Sequence, residues 1–333
     1  MICESNEFNE KNCRKTFNRI GFAFFAFELI FAGLSYLLSY YFTEHPSEIL
    51  NNEWVSWFLS YLPMYFIALP AAFLIIKKLP ETKPAHKKLS AGRFSILILI
   101  GWGISIVGSL TGNIFSFIIN ILTGLNTTNA LNDTLQNTNP LITLFFAVIM
   151  APIVEEFLCR KLIIDHTLKY GEWTSILLSG LIFGLIHGNF FQFFYAFLLG
   201  TLFAFIYIKT GKLHYTIIFH MIINLFGGLL PSLLLRLVDF EMMTSGTANE
   251  EYINYVMTHI LQILMLFAYV LLEYGAALAG VILFIIFCKK IFKAVKPMNI
   301  PKGSRLRCIF LNPGMILFII TIAADFTLYF FNN

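Results

Sequence analysis

Successive apolar segments, each about as long as a bilayer's hydrocarbon core is thick, leave this chain little choice of architecture. A helix needs about 20 apolar residues to cross, and it satisfies every backbone group within its own segment. Runs of that kind fall at about 17–42, 54–76, 94–122, 140–169, 173–190, 191–209, 213–236, 260–288 and 308–331. Over 333 residues the chain is 58% hydrophobic and 13% charged, where a soluble domain carries about 25% charged residues. The expectation is an all-α, polytopic transmembrane bundle of 8–9 spans, one membrane domain over 1–333, integral to a lipid bilayer.

The charges between the runs alternate. Basic clusters are Lys11, Arg14, Lys15 and Arg19; Lys77, Lys78, Lys83, Lys87, Lys88 and Arg93; Arg160, Lys161 and Lys169; Lys209 and Lys212; and the lysines and arginines of 289–307. The intervening segments 43–53, 123–139 and 237–255 are poor in Lys and Arg. Basic loops stay in the cytoplasm, so the N-terminus is expected inside, and nine crossings place Asn333 outside. The first run exceeds a signal-peptide core and reads as a retained anchor. The net charge of +4 sits beside the apolar runs, so no nucleic-acid partner is expected. Five cysteines without CxxC spacing form neither a disulfide framework nor a cysteine metal site.

Within these runs stand ionisable groups that lipid does not tolerate. Glu155, Glu156 and Arg160 close one run, His187 sits inside the next helix, and His220 and Asn224 sit inside another. A charge at the bilayer centre costs at least about 2.5 kcal/mol, so such groups face a protein interior or a wet cavity. Glu155 and His187 lie roughly equally far from the turn at Gly171, about 23 Å along their helices at 1.5 Å per residue. Antiparallel packing then sets them side by side. His220, about 14 Å from the turn at Gly211, matches that depth less well. Glu156 and Arg160 share a face at i,i+4 and pair; His220 and Asn224 share another. Phe183, one turn before His187, walls the same pocket.

A carboxylate beside an imidazole can take a proton from water, and imidazole and carboxamide donors can hold an oxyanion. The inventory suits peptide hydrolysis in a membrane cavity. The same residues offer Glu155, His187 and His220 as a zinc set with an open position for water. The spacing alone does not choose between a metal-free site and zinc.

The motifs match a known family. Glu155-Glu156-Phe-Leu-Cys-Arg160 resembles EExxxR, Phe183-Gly-Leu-Ile-His187 resembles FxxxH, and His220-Met-Ile-Ile-Asn224 resembles HxxxN. In this order on apolar helices they are similar to the CPBP intramembrane proteases, which comprise the type II CAAX prenyl endopeptidases and the bacterial Abi proteins. The likeness covers about 140–235, a catalytic core flanked by the helices of 1–139 and 236–333. It implies Glu155 as the base with His187 assisting, His220 and Asn224 as oxyanion donors, and Glu156 and Arg160 as orienting groups. Members are described both as metalloproteases and as glutamate proteases. Cys159 and Lys161 depart from the family's usual Phe and Gly beside the arginine.

The expected activity is an intramembrane endopeptidase acting on a membrane-associated peptide or protein. Other classes are a non-enzymatic immunity or partner-binding protein of the same fold, and a proton-coupled transporter suggested by Glu28, Glu273 and Asp325. For these three the sequence favours local structural pairing. A Phe-, Ile- and Asn-rich chain with short loops points to a low-GC bacterium and to its plasma membrane.

Overall fold

The computed structural model describes residues 8–125, 127–239, 242–243 and 250–332. Eight helices are long and apolar enough to cross a membrane: α1 Glu10–Glu44, α2 Glu53–Ile76, α3 Ala91–Thr123, α4 Pro140–Tyr170, α6 Phe190–Thr210, α7 Leu213–Leu235, α8 Ile260–Lys293 and α9 Pro313–Phe331. Between α4 and α6 lies α5, Glu172–Leu185, shorter than the rest. The described residues contain no strand. The chain is an all-α, multi-pass integral membrane protein.

The expected fifth span of 173–190 ends early: α5 has 14 residues, and His187 stands in the turn after it instead of inside a helix. The reversal is made at Gly188, whose φ of +67° suits glycine and few others. α6 then packs back along α5. Their contact is close because a Cβ on Gly180 would lie 2.5 Å from the Thr201 side chain, and one on Gly200 would lie 3.0 Å from Gly180. Small residues at such crossings let helix backbones approach. One apolar cluster joins α1, α2, α4, α5 and α9, and a second joins α3, α6, α7 and α8. The α5–α6 hairpin sits between them.

The basic segments gather at one end of the bundle. Lys209 pairs with Glu172 at 2.5 Å, and the Lys296 amide donates to the same carboxylate. The Thr82 and Lys87 amides donate to the carbonyls of Asp165 and Thr210, and the Asn299 amide donates to that of Tyr170. At the far end the Asn139 amide donates to Glu53, Arg236 donates to the carbonyls of Leu135 and Thr138, and Tyr329 donates to that of Thr128. Loop charge therefore sorts the ends as the sequence alternation predicts. Asn333 itself lies outside the described residues.

Three prolines leave a common mark. Widened turns with i→i+5 bonding span Pro63–Ala68 in α2, Leu144–Met150 in α4 and Leu225–Leu229 in α7. Pro70, Pro152 and Pro231 follow them two residues later. A proline offers no N–H, so in this register the carbonyls five residues earlier, Tyr65, Ala147 and Phe226, lose their helical donor. Asn224 Nδ2 supplies one to Ala147 and the Tyr269 hydroxyl one to Phe226. A fourth widened turn, Phe157–Leu162, directly follows the two glutamates.

Candidate active site

α4 carries the acidic pair, and its widened turns set where each carboxylate goes. Glu156 points into the core with no exposure, and Arg160, equally buried, meets it in a fork: Nε to Oε2 at 3.0 Å and Nη2 to Oε1 at 3.1 Å. Paired guanidinium–carboxylate geometry of this kind fixes orientation as well as charge. The remaining guanidinium nitrogen donates to Ser179 Oγ at 3.0 Å, and that hydroxyl donates to the Cys159 carbonyl. The cation lies 4.5 Å from the centre of the Phe183 ring and 5.5 Å from that of Phe203, a favourable site for it in a dry interior. Ser179 and Phe203 have no motif spacing to mark them in the sequence.

Glu155 turns the other way, and its side chain is 23% exposed. Between the glutamates stands His220, with Nδ1 3.3 Å from Glu156 and Nε2 3.8 Å from Glu155. Its ring packs edge-on against Phe183 and tilted against Phe203. The mismatch in depth expected from helix counting is overcome in part by the turns at 157–162, which advance less per residue and bring Glu156 nearer the basic end.

His187 comes to the same place from the α5–α6 turn. Its Nδ1 lies 2.7 Å from the Phe183 carbonyl. A carbonyl only accepts, so Nδ1 carries the proton and Nε2 keeps its lone pair. The Glu155 charge acts on His187 and also on Tyr61, Tyr65 and Tyr195. The Phe183 ring stands edge-on to His187 at 5.1 Å, so this residue touches both imidazoles and the guanidinium.

Asn224 behaves differently from its expected partner His220. Its Nδ2 donates to the Ala147 carbonyl at 2.9 Å, the carbonyl that Pro152 leaves without a helical donor. One of its N–H groups therefore ties α7 to α4. Asn224→Ala is expected to cost about 1–3 kcal/mol by orphaning that carbonyl, which thermal unfolding of the detergent-solubilised protein will read as a lowered Tm.

The three residues of the zinc alternative are not grouped as a metal site here. Among the described residues no three His, Cys, Asp or Glu side chains are grouped to hold a metal ion. His220 turns Nδ1 to Glu156, which Arg160 holds, and this leaves its Nε2 facing Glu155. The expected local pairing of Glu28 also fails: its Oε1 is buried without a hydrogen-bond partner among the described residues, and the charge acting on it is that of Asp325. Asp325 lies behind the α5–α6 turn, 3.7 Å from where a Cβ on Gly188 would stand.

Two comparisons with known proteins bear on this chain. Residues 137–226 match the family described as Type II CAAX prenyl endopeptidase Rce1-like. Over 165 residues the chain is 28% identical to the Bacillus subtilis (strain 168) protein named "Putative membrane peptidase YdiL", covering 48% of this chain and 67% of that protein. No solved structure matches.

Proposed function

We propose that this chain is a CPBP-type intramembrane protease, a glutamate-type endopeptidase whose catalytic core is about 140–235, a reading that the likeness of residues 137–226 to the type II CAAX prenyl endopeptidases supports. The observation that carries the reading is a linked set of side chains from separate helical segments: His220 Nε2 stands 3.8 Å from the partly exposed Glu155, and the Phe183 ring is edge-on to both His187 and His220. Glu155 is the carboxylate with room beside it, so it holds and deprotonates the attacking water. The lone pair of His187 Nε2 accepts the water's second hydrogen and orients it. As hydroxide adds to the scissile carbonyl, the electron pair of the C=O bond moves to oxygen. In this reading His220 and the second N–H of Asn224 donate to that oxygen. Protonated Glu155 then returns its proton to the leaving amine. Glu156 and Arg160 hold the His220 ring and do not react.

The substrate is a membrane-associated peptide or protein, because the site lies among membrane-spanning helices. In a bacterial plasma membrane that favours a membrane-bound or secreted peptide over a prenylated tail. The test is to compare the membrane peptidomes of cells carrying the wild-type protein and the Glu155→Ala variant. Precursors that accumulate and fragments that vanish together in the variant support the reading. Identical peptidomes, with the phenotype retained by Glu155→Ala, would assign the fold to immunity or partner binding instead.

A further inference from the structure

The donors assigned to the developing oxyanion are partly engaged. Both ring nitrogens of His220 face carboxylates, and Asn224 spends one N–H on Ala147. Tyr195, also within electrostatic range of Glu155, has its hydroxyl oxygen held at 3.0 Å by the Gln192 amide of its own helix. One hydroxyl in this neighbourhood has no such commitment. Tyr65 Oη is buried and has no hydrogen-bond partner among the described residues, and Tyr65 lies within electrostatic range of Glu155.

An unpaired buried hydroxyl loses its hydration for nothing, so native interiors rarely keep one without a role. Tyr65 stands in the widened turn Pro63–Ala68 of α2, and such turns redirect side chains at functional sites. Its ring packs on Tyr61 with centroids 5.1 Å apart, and Tyr61 stacks on Phe146 at 5.2 Å. Phe146 immediately precedes Ala147, whose carbonyl Asn224 holds. A line of contacts thus links Tyr65, through Tyr61 and Phe146, to the stretch of α4 that Asn224 holds, from a helix that carries none of the three motifs.

We propose that Tyr65 is a further catalytic residue, its phenolic O–H donating a hydrogen bond to the scissile carbonyl oxygen as that oxygen takes up negative charge. The proposal rests on the proteolytic reading of the site. No proton leaves Tyr65: the water's proton goes to Glu155 and on to the amine, while the phenol only stabilises the charge. A phenol is a strong donor in a dry site, and the loss of one oxyanion donor typically costs about 10²–10³ in kcat.

The test uses wild-type, Glu155→Gln and Tyr65→Phe proteins in proteoliposomes, with a synthetic peptide carrying the cleavage site that the peptidome comparison identifies. Tyr65→Phe is expected to lose about 10²–10³ in kcat with KM nearly unchanged. Its melting temperature should stay level or rise, since the removed hydroxyl bonds nothing. Tyr65→4-aminophenylalanine, which keeps a donor, should recover part of the rate. Wild-type turnover by Tyr65→Phe would overturn the proposal while leaving the protease reading intact, and so would a marked fall in its melting temperature. If the wild-type protein cuts no more than Glu155→Gln, the protease reading fails and takes Tyr65 with it.

Discussion

Glu155→Gln is expected to slow peptide cleavage by about 10²–10⁴-fold, the range for loss of a general base, without lowering the melting temperature. The two halves of that result come from one feature. Glu155 is the partly exposed member of the glutamate pair, and His220 Nε2 stands 3.8 Å from it, beyond a normal hydrogen bond. Glutamine has the same shape and keeps whatever packing the side chain makes. It lacks only the charge and the lone pairs of a carboxylate that can hold a proton. Kinetics on the purified protein and a thermal melt on the same sample separate the two effects. A variant that cuts at the wild-type rate would remove Glu155 from the chemistry. A variant that melts early would show that this carboxylate holds the fold together.

How much of this was legible in the sequence depends on the length scale of the signal. Span number and the sorting of the two ends followed from apolar run length and loop charge, both of which are sums over many residues. The early end of α5 did not, because it turns on Gly188 and on an apolar stretch that looks continuous through His187. The i,i+4 pair Glu156–Arg160 was readable because both partners lie on one helix face. Their meeting with His220 was not, since helix counting assumes uniform rise and α4 contains two widened turns. Asn224 and Ala147 show a further limit. The bond exists because Pro152 withholds a donor in an i→i+5 register, and no single-helix pattern announces that register. Tyr65 had a weak local signal, its i,i+4 spacing from Tyr61 between Pro63 and Pro70. Nothing in α2 named the carboxylate it would face.

Arg160→Leu is expected to be the most destabilising substitution in the core. Arg160 and Glu156 are both fully buried and bonded to each other through two contacts. Taking two charges out of water is costly, and their mutual attraction roughly repays it. Removing the arginine alone leaves Glu156 charged and uncompensated, a loss of about 3–5 kcal/mol. It also frees the Ser179 hydroxyl and opens space beside the Phe183 and Phe203 rings. The double variant Glu156→Leu/Arg160→Met removes the charge problem together with the pair, and apolar replacements of buried pairs are often neutral or stabilising. The double variant should therefore recover most of the melting temperature that Arg160→Leu loses. It should not recover cleavage, because His220 Nδ1 has then lost the Oε1 atom at 3.3 Å that sets its ring. Unfolding and turnover measured on the two variants decide the matter. Recovery of stability with activity still absent assigns the ion pair to positioning His220. Recovery of both would make the pair a packing device with no part in the reaction, and recovery of neither would mean that the fold depends on the fork itself.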